Sequence, residues 1–126
     1  MKFLKIFLIF FLIFFSVINC TKSEKTSLIV EEDAESQMIR AFKEGYEEFE
    51  AGDALFAAKK FNEAELLFPQ SSWAPRSALM AAYSYYSNEY YTDTIYEIER
   101  FLRTYPQHPR TDYAYYLLAI TYYDKI

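Results

Sequence analysis

The chain has 126 residues, a formal net charge of −5, two glycines, four prolines and one cysteine. Such acidity lacks the basic footprint that nucleic-acid binding needs, the scarcity of turn residues disfavours an all-β fold, and a lone cysteine leaves no internal disulfide. Aromatic residues make up 21% of the chain, and every tyrosine lies at or after Tyr46, so the body is rich in rings that bury a face while keeping a hydroxyl wet.

Residues 1–20 open with Lys2 and Lys5, run through an unbroken apolar stretch from Ile6 to Phe15 and end at Cys20. A positive start before a short apolar run reads as a secretory signal, too short for a comfortable membrane span. The segment Val17-Ile18-Asn19-Cys20 resembles the bacterial lipobox, with Asn19 where Gly, Ala or Ser usually stands. That resemblance implies a covalent lipid on the Cys20 thiol, and no other cofactor is expected. Thr21 follows where inner-membrane lipoproteins typically carry Asp, which implies the periplasmic face of the outer membrane. Several acyl chains, at about 0.8 kcal/mol per buried CH₂, make such an anchor effectively permanent. Residues 21–35, with the acidic run Glu31-Glu32-Asp33-Ala34-Glu35, read as a solvated tether. Fully extended, it would reach on the order of 50 Å.

Helical periodicity then marks Gln37–Glu50, Ala54–Phe68, Arg76–Ser87, Asp93–Tyr105 and Asp112 to the end. Between them Gly52-Asp53 offers a stop and a cap, and Thr92-Asp93 a cap and a first-turn acid. Pro69, Pro75, Pro106 and Pro109 mark longer connections where helices stop. A shift of 37 residues carries Pro69 to Pro106, puts Gly45, Ala82 and Ala119 in one column, and pairs Ala57 with Thr94, Phe61 with Ile98 and Ala64 with Phe101. These columns resemble the tetratricopeptide repeat, with loops absorbing a period slightly over the usual one. The expected fold is all-α: an α-solenoid of antiparallel helix hairpins over residues 36–126, with repeats at about 38–74, 75–111 and a partial 112–126. Repeat arrays bury their core by stacking neighbours. A third hairpin halted after one helix therefore reads as a piece of a longer array.

Three further stretches carry a more specific likeness. They are Ser72-Trp73-Ala74-Pro75-Arg76-Ser77-Ala78, then Arg100-Phe101-Leu102 with Pro106-Gln107-His108-Pro109, and Asp112-Tyr113-Ala114-Tyr115-Tyr116. They resemble the tetratricopeptide lipoproteins of the β-barrel assembly machinery in the Gram-negative outer membrane, over the leader and roughly residues 40–126. The resemblance implies an outer-membrane protein assembly factor whose partners are unfolded outer-membrane proteins and other subunits of the assembly complex. Ala119 stands where that family commonly has Gly.

In tetratricopeptide arrays the first helix of each repeat lines a concave groove. Its inward positions here are Phe42, Tyr46 and Phe49, then Leu79, Tyr83 and Tyr86, then Tyr116, Ile120 and Tyr123. Each triplet shares one helical face and suits an extended, aromatic-bearing peptide such as the terminal segment of an outer-membrane protein. An aromatic stripe at this spacing also serves as core, and some of these rings fill gaps between hairpins. Arg76 and Arg110 are placed near the groove mouth to meet a chain-terminal carboxylate, or else are ordinary solvated arginines. No catalytic residue is expected. The only histidine, His108, sits in a loop as a packing or capping contact, Glu47, Glu48 and Glu50 scatter around a helix, and neither a phosphate loop nor a metal-ligand cluster is present. The alternative is another tetratricopeptide lipoprotein of the outer membrane, a pilus-secretin pilot or a cell-division coordinator.

Overall fold

A computed structural model describes residues 32–126; the leader, Cys20 and the tether as far as residue 31 lie outside the described residues. Those described form five helices and no strand: α1 (Ala34–Ala51), α2 (Ala54–Leu67), α3 (Ala74–Ser87), α4 (Tyr91–Thr104) and α5 (Thr111–Asp124). Each helix packs chiefly on the next, with a thin contact between α3 and α5. That is a tetratricopeptide-like all-helical repeat.

Three element starts differ from expectation by more than one residue. Helix α1 begins inside the expected tether, because the Asp33 carboxylate accepts the Ser36 N–H at 2.9 Å and Glu35 sits in the first turn. An acid at each of those places stabilises a helix N-terminus. Pro75 lies within the first turn of α3 and does not end a helix. The missing N–H is harmless there, and the fixed φ already suits the helix. Helix α4 starts at Tyr91, ahead of the expected Thr92 cap. Tyr90 precedes it with no side-chain capping bond, and only Asp93 plays its foreseen part as a first-turn acid.

The turns inside the two hairpins explain that last shift. In the first, Gly52 takes φ 86°, and the N–H groups of Gly52 and Asp53 donate to Phe49 and Glu48 at 3.1 and 3.0 Å. Asp53 then caps α2 by accepting the Phe56 N–H at 3.0 Å. In the second, Glu89 takes φ 63° and the N–H groups of Glu89 and Tyr90 donate to Tyr86 and Tyr85, both at 3.0 Å. Both are left-handed helix stops of the same hydrogen-bond pattern, one repeat apart. The second uses a side chain the conformation disfavours and lacks the aspartate.

The aligned columns fill the core. Ala57 and Thr94, Phe61 and Ile98, and Ala64 and Phe101 are all fully buried. Phe61 lies so close to Gly45 that a Cβ there would stand 3.0 Å from its ring, which is why α1 and α2 need a glycine at their crossing. Ala82 is buried at the equivalent place, while Ala119 on α5 is exposed. Met38, Ala41 and Ala64 extend the first hairpin's core, and Ala78, Ile98, Phe101, Ala114 and Leu117 build that of the second hairpin and α5. No described helix is long and apolar enough to cross a membrane.

One buried feature had no counterpart in the sequence reading. Between α2 and α4, the Arg100 guanidinium donates to Glu65 at 2.7 and 3.0 Å, to Glu97 at 2.9 Å and to Asn62 at 3.1 Å. The Asn62 amide donates in turn to Glu97, and the Tyr105 hydroxyl donates to Glu65 at 2.7 Å. Both glutamates are buried. A buried charge is tolerated when it is paired and its remaining lone pairs are met, and no buried side-chain polar atom among the described residues lacks a partner. This network joins the second helices of successive hairpins, which otherwise barely touch.

Candidate functional site: a cationic aromatic cleft between two corners

The connections α2–α3 and α4–α5 are the same structure written twice. In the first corner the Ser71 N–H donates to Phe68 at 3.0 Å and the Ala74 N–H to Ser71 at 3.2 Å. In the second, His108 donates to Tyr105 at 3.1 Å and Thr111 to His108 at 3.0 Å. Each corner is thus two successive four-residue turns. Pro69, Pro106 and Pro109 occupy the second position of their turns, where a fixed φ is favourable. Ser72 holds the place matching Pro109.

This repetition projects side chains into one cleft of about 530 Å³. Trp73 and Arg110 hold the same repeat position, as do Arg76 and Tyr113, and all four line the cleft. Each corner therefore contributes one aromatic ring and one guanidinium, in opposite order. Helix α1 adds Phe42 and helix α3 adds Leu79, Met80 and Tyr83. Phe42 meets Trp73 edge-on at 5.1 Å and Phe61 at 5.2 Å, which fixes the wall against the core. The Arg76 guanidinium rests over the Trp73 ring at 5.3 Å, a cation–π contact that orients it at small cost.

Electrostatically the cleft opposes the chain that carries it. The whole sequence is acidic, yet the lining holds two arginines and no carboxylate. Among the described residues, neither Arg76 nor Arg110 makes an ion pair, whereas Arg40 and Arg103 each have one and Arg100 has two. Burial raises the Tyr113 hydroxyl above its usual range, nearby Tyr83 adds to this, and Arg110 pulls the other way. The field at the cleft favours an anion.

Of the nine residues expected on the groove, Phe42, Leu79 and Tyr83 lie in the cleft together with Arg76 and Arg110. Phe49 adjoins it through Tyr83, 5.7 Å away ring to ring. Tyr86 and Ile120 pack instead against the second hairpin's core. The Tyr86 hydroxyl donates to Asp124 at 2.7 Å, which pushes its pKa up to about 12 with burial adding to the effect. Tyr46, Tyr116 and Tyr123 are exposed and outside the cleft. Trp73, Met80 and Tyr113 were not foreseen. Carrying the 37-residue shift through the corners and the first helical turns after them would have flagged Trp73 beside Arg110 and Tyr113 beside Arg76. His108 serves the corner: its ring stands edge-on to Phe101 at 5.7 Å and its Nδ1 accepts the Arg110 N–H at 3.2 Å.

The family model for YfiO, an outer membrane lipoprotein, matches residues 34–126. Outer membrane protein assembly factor BamD of Caulobacter vibrioides is 32% identical over 111 residues, covering 88% of this chain and 36% of that protein. BamD of Neisseria gonorrhoeae is 34% identical over 86 residues (68% and 32% of the two chains), and BamD of Pasteurella multocida 27% over 121 residues (96% and 44%). The chain thus spans between about a third and somewhat under half the length of these relatives. No solved structure matches it. These relatives are all described as outer membrane protein assembly factors. It belongs to the YfiO family of outer membrane lipoproteins, the family of the assembly factor BamD.

Proposed function

We propose that this chain is a lipid-anchored scaffold, held through Cys20 on the periplasmic face of the outer membrane, whose cleft takes up segments of unfolded outer-membrane proteins. It would do so beside other subunits of a β-barrel assembly complex. The observation that carries this reading is the pairing of aromatic walls with two uncompensated guanidiniums in a chain otherwise acidic. The occupant such a site prefers is a peptide end: an aromatic side chain between Trp73, Tyr83 and Tyr113, with its carboxylate at Arg76 and Arg110. Each ring contact contributes about 0.5–1.5 kcal/mol beyond burial, and a hydrogen bond to a charged group about 1.5–3 kcal/mol. That is a modest and reversible grip, suited to passing a chain onward. The relatives' shared description as outer membrane protein assembly factors supports the client class.

The test is photo-crosslinking of the purified chain to a peptide ending in a C-terminal aromatic residue. Tyr83→Ala combined with Trp73→Ala is expected to cut crosslinking at least several-fold while the helical signal and its thermal midpoint stay close to wild type. Undiminished crosslinking in a folded double variant contradicts the proposal.

A further inference from the structure

Arg110 lines the cleft from the connection between α4 and α5. One line of contacts ties that loop to α2. The Tyr105 hydroxyl donates to Glu65 at 2.7 Å, while Arg100 holds the same carboxylate through two N–H groups. The Tyr105 ring packs on Phe101 at 5.5 Å, Phe101 on His108 at 5.7 Å, and His108 accepts the backbone N–H of Arg110. The equivalent residue of the first corner is Phe68, which has no hydroxyl and makes no such bond. Of the two corner-opening residues, only Tyr105 makes a side-chain hydrogen bond to another hairpin.

We infer that Tyr105, held by the buried Glu65–Arg100 pair, is a positioning residue for Arg110: it fixes where the second guanidinium stands and so sets how selectively the cleft takes a carboxylate over a neutral end. The selectivity part rests on the peptide-binding reading above; the positioning part does not. The physical ground is that a charge-assisted hydrogen bond is strong only when its geometry holds. A guanidinium on a free loop loses that advantage to the entropy of ordering it. Tyr105 supplies the order in advance, from a partner that Arg100 has already immobilised.

The conservative variant Tyr105→Phe removes one hydroxyl and keeps the ring on Phe101. Amide hydrogen exchange of the full chain without any peptide is the first readout. Arg110 and Thr111 are expected to exchange up to about ten-fold faster, the effect of losing one hydrogen bond to a charged group, while Ala74 at the matching place in the first corner stays unchanged. Unchanged exchange at Arg110 and Thr111 overturns the inference whatever the cleft binds. The second readout is affinity for a peptide ending in phenylalanine, as the free acid and as the amide. Wild type is expected to prefer the acid about ten-fold, the worth of a charged hydrogen bond, and Tyr105→Phe to lose most of that preference with little change toward the amide. In an Arg110→Gln background the Tyr105→Phe change is expected to have no further effect. A loss that falls equally on both peptides, or that persists without Arg110, contradicts the positioning role. A wild-type protein indifferent to the carboxylate contradicts the peptide-end reading and the selectivity assigned to Tyr105, leaving the exchange result to decide the positioning.

Discussion

The two corners share a backbone and differ in what locks it. In Phe68–Ala74 a single proline sets the first turn, and the Ser71 hydroxyl accepts the Ala74 N–H at 3.2 Å. In Tyr105–Thr111 a proline sets each turn, an imidazole accepts a backbone N–H, and a phenol reaches a carboxylate on a different hairpin. The first corner presents Trp73, whose broad face tolerates some movement. The second presents Arg110, whose usefulness depends on a defined position. Rigidity has been placed where the chemistry is directional.

The largest break in this comparison is expected from Arg100→Met. It leaves Glu65 and Glu97 buried without their cation, and removing one partner of such a pair costs about 3 kcal/mol. Urea unfolding checks this, and hydrogen exchange should show the second corner loosening more than the first. A loss under 1 kcal/mol would mean the network is incidental. The inner hairpin turns sharpen the same contrast between repeats. Glu89→Gly is expected to add about 1 kcal/mol by relieving a left-handed backbone, and Gly52→Ala to remove a similar amount. Equal signs in thermal melts would count against that account. Transplanting the second lock into the first corner, Ser72→Pro should add about 0.5 kcal/mol by restricting the unfolded chain, since Pro109 already occupies the equivalent place. A drop in stability would show that the corners are not equivalent. The smallest effect concerns Tyr86. Its folded pKa, pushed up to about 12 by the bond to Asp124, exceeds the ordinary value near 10. The bond's contribution is therefore complete below about pH 10 and lost as the pH rises through 12. Spectrophotometric titration should find Tyr86 among several late-ionising tyrosines, and Asp124→Asn should bring one of them down.

Much of the fold was legible because the 37-residue period aligns small and large residues that must meet: Gly45 under Phe61, Ala64 answering Phe101. Helix starts were less so. Asp33 is a cap only because Ser36 offers its N–H, and Pro75 begins a helix where a loop was expected. Periodicity reports faces, and says little about ends. The site was half legible. A helical stripe placed Phe42, Leu79 and Tyr83, but the same spacing could not separate them from Tyr86, which packs inward, or Tyr123, which lies in the open. Trp73 escaped because its corner was read as a connection, and Tyr113 because the groove face of its helix was taken to be Tyr116, Ile120 and Tyr123. The Glu65–Arg100–Tyr105 network escaped because Glu65 lies 35 residues from Arg100 and 40 from Tyr105, and both Glu65 and Arg100 look solvent-facing by charge alone.

The most direct test is calorimetric titration of the purified chain with one peptide ending in phenylalanine, offered with a free carboxylate and with an amide, before and after Arg76→Gln with Arg110→Gln. A cleft built as described binds the acid about ten-fold more tightly than the amide, and the double variant binds both alike. Equal affinity of the wild type for the two forms, or a preference that survives loss of both arginines, contradicts it.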